Sequence, residues 1–133
     1  MSYISDSHRK FNLKYHIIFV CKYRKQLLAN KEVGEFMKNE MIRISERSDF
    51  TIDTIEVDKN HIHLLIDSSP SISIASIVRR LKQESTISVW KVFFNFLKGQ
   101  FWKEKTFWTD GYFASTIGQV SEETVRRYIE NQG

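Results

Sequence analysis

The stretch His61-Ile62-His63-Leu64-Leu65-Ile66-Asp67 constrains this chain most. Two histidines alternate with aliphatic residues, and the period of two is that of a strand, with both imidazoles on one face and Ile62, Leu64 and Ile66 on the other. Residues two apart along a strand are separated by roughly 6.5 to 7 Å, so two flexible side chains can converge on one ion. On spacing alone, a His-x-His on a strand face is more often a pair of partly buried, hydrogen-bonded histidines. A metal site here needs further ligands from elsewhere in the chain.

Around that strand the sequence reads as β-α-β-β-α-β-α. Lys14 to Cys21 is rich in β-branched and aromatic residues and predicts a first strand, followed by basic Lys22, Arg24 and Lys25. Asn30 can cap a helix carrying Val33, Phe36, Met37, Met41 and Ile44 at spacings of three and four. Phe50 to Val57 predicts a second strand with its period less cleanly kept. The turn residues Asp58-Lys59-Asn60 join it to the histidine strand as an antiparallel hairpin. A second helix is expected from Ser71 or Ser73, with Ile74, Ile77, Val78 and Leu81 on one face and Arg79, Arg80 and Lys82 off it. It runs on toward Leu97, with a break expected near Ser85 to Ser88 or at Gly99. Phe107 to Thr116 resumes strand composition around a bend at Asp110-Gly111. Ser121 is a good N-cap for a last helix to about Gln132, with Glu122 and Glu123 in its first turn.

The fold class is therefore α+β: one ferredoxin-like domain over residues 1–133, a four-stranded antiparallel sheet with both helices on one face and the first and third strands in the centre. Residues 1–12 are a polar arm, and residues 121–132 form an additional helix, the available cover for the open face of the sheet. The single cysteine, Cys21, excludes an internal disulfide and a cysteine-based zinc site. No apolar run is long enough to span a membrane, and the N-terminal stretch lacks the apolar core of a signal peptide, so a cytoplasmic location is expected. Aromatic residues at 14% and 20 Lys and Arg against 16 Asp and Glu favour nucleic acid as a partner, weakly, because such a charge also fits a plain soluble enzyme.

On the last helix, Tyr128 and Gln132 are four apart and share a face, with Asn131 nearby. If that helix docks over the histidine face, two imidazoles, an amide oxygen and a phenol can surround one divalent cation and one phosphate, a set suited to phosphoryl transfer. With a pKa of about 10, a free phenol is ~0.1% ionised at neutral pH, so deprotonation costs about 4 kcal/mol. A cation together with Arg126 or Arg127 would compensate. Two imidazoles favour Mn, Co or Zn over Mg. A tyrosine on a short amphipathic helix is usually packing, and Arg79, Arg80 and Lys82 by themselves read as a solvated helix face.

Four ordered blocks go beyond this. Tyr15 to Arg24, Asp58 to Leu65, Trp108 to Gly118, and Tyr128-Ile129-Glu130-Asn131-Gln132 together resemble the single-tyrosine HUH transposases of the insertion-sequence 200/605 type. The resemblance implies a metal-dependent transposase that cleaves and rejoins single-stranded DNA. His61, His63 and Gln132 would bind Mg or Mn, and Tyr128 would form a 5′-phosphotyrosine. It further implies recognition of hairpins at the element ends and a homodimer in which His61 and His63 of one chain work with Tyr128 of the other. No motif fixes the DNA contacts; charge and position single out Arg24, Lys25, Arg79, Arg80 and Lys82. Two alternatives are a repeat-associated relative that processes host hairpins and a non-catalytic RNA-binding ferredoxin-like module. A two-histidine RNA phosphoesterase would need a second His-x-Ser/Thr motif, which His8 and His16 do not provide.

Overall fold

A computed structural model describes residues 13–116 and 122–132. The expected arm and the Ser121 cap lie outside the described residues. Strands β1 (Leu13–Val20), β2 (Phe50–Val57), β3 (His61–Ser68) and β4 (Phe113–Thr116) form one antiparallel sheet in the order β2-β3-β1-β4. The first and third strands are central, as the ferredoxin-like reading requires. Helix α1 (Lys31–Glu46) starts where Asn30 accepts from the Glu32 and Val33 amides. Helix α2 (Ile74–Val92) starts where the Ser73 hydroxyl accepts from the Ser76 amide. Both caps occupy donors that the first turn of a helix leaves unpaired.

One face of the sheet carries the main core. Ile17, Phe19, Ile62, Leu64 and Ile66 pack with Val33, Met37, Met41 and Ile44 of α1 and Ile77, Val78, Leu81 and Val89 of α2. The alternation in β3 is complete, with Ile62, Leu64, Ile66 and Ser68 buried and His61, His63, Leu65 and Asp67 on the other face. The uneven period of β2 has a cause: the register shifts between Ile52 and Thr54, so Asp53 bulges out. It reaches Lys14, which also pairs with Asp67, at 2.9 and 2.8 Å.

Two boundaries differ from the sequence expectation. The second helix breaks at Phe93, where φ −116 and ψ 39 leave the helical region, and a short helix α3 (Phe94–Lys98) follows. The serines expected to break it stay helical because each finds a partner. Ser85 donates to the Lys82 carbonyl and accepts from the Trp108 indole, and Ser88 donates to the buried Glu40 carboxylate. The last strand is also shorter than Phe107–Thr116. Trp108 makes a single bridge to Cys21, and the chain leaves the sheet before pairing again from Phe113.

The final helix, α4 (Glu122–Glu130), lies over the histidine face of its own chain. Its Val125, Tyr128 and Ile129 are half-buried, while Arg126, Arg127 and Glu130 are exposed. Ile18 and Val20, the cross-strand partners of His63 and His61, are fully buried on this face, outside the main core.

Candidate active site

The two histidines are held by the tight β2-β3 turn. The Asp58 amide donates to the His61 carbonyl at 2.9 Å, and the Cys21 amide donates to the Asn60 carbonyl at 2.9 Å, tying the turn to the end of β1. His61 is 18% and His63 29% exposed at the side chain. His61 Nδ1 is 2.9 Å from Asn60 Oδ1, which can only accept, so the proton sits on Nδ1 and the Nε2 lone pair is free. Desolvation pushes both imidazoles below their ordinary pKa. For His61 the Asp58 carboxylate partly offsets this; for His63, neighbouring His16 pushes further down and Glu56 pulls up.

Neutral, half-buried imidazoles on one face are the form a divalent cation needs from such ligands. Among the described residues, no cluster of three or more His, Cys, Asp or Glu side chains gathers as a metal cage. Cys21 takes no part: it is fully buried, and burial pushes its thiol up to about 12.

Tyr128 is half-buried, and its ring packs on Phe113. Its hydroxyl points at Gly111, where a Cβ would lie 3.9 Å away, and sits beside the Thr109 hydroxyl without forming an aligned hydrogen bond. Burial raises the phenol's pKa, with a smaller opposing effect from Thr109. Phe113, Ile18 and His63 form one row across β4, β1 and β3. Two strand spacings therefore separate Phe113 from His63, about 10 Å along the sheet. In this position of α4 the phenol lies over β4 rather than between the imidazoles. Gln132 donates its side-chain amide to the Tyr128 carbonyl at 3.2 Å, closing the end of its own helix. Arg126 and Arg127 pair with Glu123 on the outer side of α4, so neither is directed to the phenol.

The five basic residues singled out above have different surroundings. The Arg24 guanidinium donates to the Glu130 carbonyl at 2.5 Å and so ties α4 to the segment after β1. Lys25 stands over the Phe101 ring at 5.8 Å. Arg80 pairs with Glu84 at 2.7 Å, whereas Arg79 is exposed and lines an open groove of about 720 Å³ between α2 and the Thr106–Tyr112 segment. Lys82 is half-buried and donates to the carbonyls of Thr109, Asp110 and Gly111 at 2.5, 3.1 and 2.9 Å. Burial lowers its pKa, partly offset by Asp110.

Sequence reasoning passed over two members of this face. Asn60, read only as a turn residue, orients His61. His16, set aside because it lacks a second motif, has its Nδ1 2.9 Å from His63 Nε2. The available signal was its phase: β1 alternates, so His16, Ile18 and Val20 share the face that His63 and His61 occupy on β3.

Residues 9–132 match the family described as Transposase IS200 like. The transposase for insertion sequence element IS200 of Salmonella typhimurium is 30% identical over 131 residues, covering 96% of this chain and 82% of that protein. The ISDra2 transposase TnpA of Deinococcus radiodurans is 30% identical over 122 residues, covering 92% and 85%. A crystal structure of a candidate transposase from Deinococcus radiodurans R1 superposes with a TM-score of 0.84 at 28% identity, covering 96% of each chain. A REP-associated tyrosine transposase bound to a REP hairpin shares the fold, with a TM-score of 0.57 at 15% identity over 97% of this chain and 70% of that one. With a family match over residues 9–132, insertion-sequence transposases at 30% identity over most of their length and a transposase fold superposing over 96% of the chain, the chain belongs to the IS200-like transposase family.

Proposed function

We propose that this transposase cleaves and rejoins single-stranded DNA at the ends of an insertion sequence through a covalent link to Tyr128. The observation that carries the reading is the shared face: half-buried, desolvated His61 and His63 lie on the central strand, and the helix bearing Tyr128 lies over the same face. His61, His63 and the Gln132 amide oxygen would hold a divalent cation, Mg or Mn. When bound, the cation polarises the scissile phosphate and offsets its charge. The phenolic oxygen of Tyr128 forms a bond to phosphorus while the bond to the 3′ oxygen breaks. The phenol's proton ends on the departing 3′-hydroxyl, and the 5′ phosphate stays on the tyrosine. A second 3′-hydroxyl reverses the same exchange, so rejoining needs no external energy source.

In the position seen here the Tyr128 ring lies on Phe113 of β4, burial raises the phenol's pKa, and Gln132 is bonded within its own helix. The reactive arrangement therefore requires α4 to move, and a homodimer supplies a route in which the helix of one chain serves the histidines of the other. DNA hairpins at the element ends are the proposed partner, held by Arg24, Lys25, Arg79, Arg80 and Lys82. The relatives at 30% identity are insertion-sequence transposases, whereas the likeness to the repeat-associated protein is one of fold, which favours the transposition reading. Membership of a transposase family also displaces the RNA-binding alternative. Among the described residues no helix is long and apolar enough to cross a membrane.

The test is incubation with labelled single-stranded DNA carrying an end hairpin and Mg2+ or Mn2+, followed by a denaturing gel. A protein-DNA adduct is expected that vanishes in Tyr128→Phe and on chelation. Undiminished adduct in Tyr128→Phe would rule out the nucleophile. Mixing Tyr128→Phe with His61→Ala chains should restore activity if the site is shared between subunits, and no recovery at all argues for a site within one chain.

A further inference from the structure

One histidine on the face of His61 and His63 has no part in the proposed cleavage. His16 stands on β1, one of the two central strands, and its Nδ1 lies 2.9 Å from His63 Nε2. The rings are 5.1 Å apart and tilted by 41°, so the contact is nitrogen to nitrogen rather than a stack. A neutral imidazole has one N–H and one lone pair, so two nitrogens at this distance share a single proton. The other nitrogen of His63, Nδ1, lies 3.8 Å from the Glu56 carboxylate, beyond hydrogen-bond range.

His61 shows the same arrangement with different partners. Its Nδ1 is held by Asn60, and its free Nε2 lies 4.0 Å from the Asp58 carboxylate. Each ring thus has one nitrogen held by a neighbour and the other directed toward an acidic side chain of the β2-β3 hairpin. Metal-binding histidines characteristically have the second nitrogen held in this way, which fixes both tautomer and ring orientation.

We infer that His16 is a positioning residue for His63: its Nδ1 accepts the Nε2–H of His63, so the lone pair offered to a divalent cation is on Nδ1, on the Glu56 side. His16 does not itself bind the cation. The inference rests on the proposed assignment of His61 and His63 as metal ligands, and it gives them opposite tautomers.

Two measurements test it. In the metal-free protein, imidazole 15N shifts should show His61 as the Nδ1–H tautomer and His63 as the Nε2–H tautomer; an Nδ1–H tautomer at His63 overturns the assignment. Titration with Mn2+ by calorimetry should then show His16→Ala binding about 10- to 100-fold more weakly than wild type. His16→Asn, whose side-chain carbonyl can stand where Nδ1 was, should recover most of the loss, and His16→Gln, which places its amide near the old Nε2, should not. Rescue by Asn also shows that the loss is not one of folding. Spin-echo spectroscopy of bound Mn2+ should count two coordinated imidazoles. Unchanged or tighter binding in His16→Ala, equal rescue by Gln, or a third imidazole on the metal each overturn the positioning role alone. A wild-type chain that binds no Mn2+ overturns the ligand assignment, and this inference with it.

Discussion

The Tyr128 ring packs on Phe113 with centroids 5.6 Å apart and planes inclined at 52°. A pair of this kind is worth about 0.5–1.5 kcal/mol beyond its area burial. It helps to hold the nine-residue α4 over the sheet, together with the Arg24 bond to the Glu130 carbonyl. In Phe113→Ala, amide exchange in α4 should speed up by roughly fivefold to tenfold, the equivalent of ~1 kcal/mol, while β1 and β3 keep their protection. Unchanged protection in α4 would mean that the Arg24 bond to Glu130 and the helix's own apolar stripe hold it without the ring pair.

The support beneath the phenol is Lys82. Its ammonium gathers three carbonyls, of Thr109, Asp110 and Gly111, in the segment against which the Tyr128 hydroxyl rests. In Lys82→Met the apolar stem remains, but the carbonyls of buried Thr109 and exposed Asp110 and Gly111 lose their donor, at a cost of about 1 kcal/mol. Thermal unfolding should fall by several degrees. Arg79→Ala, three residues earlier and exposed, should leave the midpoint nearly unchanged. Equal midpoints for the two variants would show that the lysine's contacts are replaced by solvent without loss.

The contrast between these two residues shows what the sequence could and could not convey. Helical phase set Arg79, Arg80 and Lys82 off the apolar stripe, which was correct, but phase carries no information about which segment crosses the helix later in the chain. Strand alternation placed His61 and His63 on one face because Ile62, Leu64 and Ile66 had to be buried, and tertiary structure kept that pattern. The Asn30 cap was legible for the same local reason. His16 was not, because its meaning depends on the register of β1 against β3, a contact between residues 47 apart in the chain. The position of Tyr128 likewise depends on how α4 docks, which four-residue spacing within a helix cannot specify.

The histidine pair has a pH signature of its own. Desolvation lowers the pKa of both rings below the ordinary 6.5, so the folded chain resists protonation at pH values where the unfolded chain takes up protons. The unfolded state then binds more protons, and stability rises with pH in that range. The contribution is complete above about pH 6.5 and is lost as pH falls through the folded-state values. For the metal-free protein, the unfolding midpoint should be flat from pH 8 to 7 and fall toward pH 5. The same series on His61→Gln and His63→Gln should give a shallower fall. A midpoint that rises on acidification would mean that the folded chain stabilises charged imidazoles instead.

The proposed DNA contacts can be ranked by how freely each cation can reach a phosphate. Arg80 is paired with Glu84 at 2.7 Å and Lys82 is occupied by carbonyls, while Arg79 is exposed on the rim of the groove between α2 and the Thr106–Tyr112 segment. A free arginine that neutralises a phosphate releases counterions, and its loss reduces the salt dependence of binding by about one unit of slope on duplex DNA, slightly less on single strands. Arg79→Ala should therefore weaken binding to an end hairpin and flatten the plot of log affinity against log salt by ~1. Arg80→Ala should do less, because Arg80 already has its charge engaged by Glu84, which Arg47 continues to hold at 3.2 Å. Fluorescence anisotropy from 50 to 300 mM salt separates the two. A slope unaltered by Arg79→Ala would move the hairpin surface away from α2, toward Arg24 and Lys25 at the end of β1.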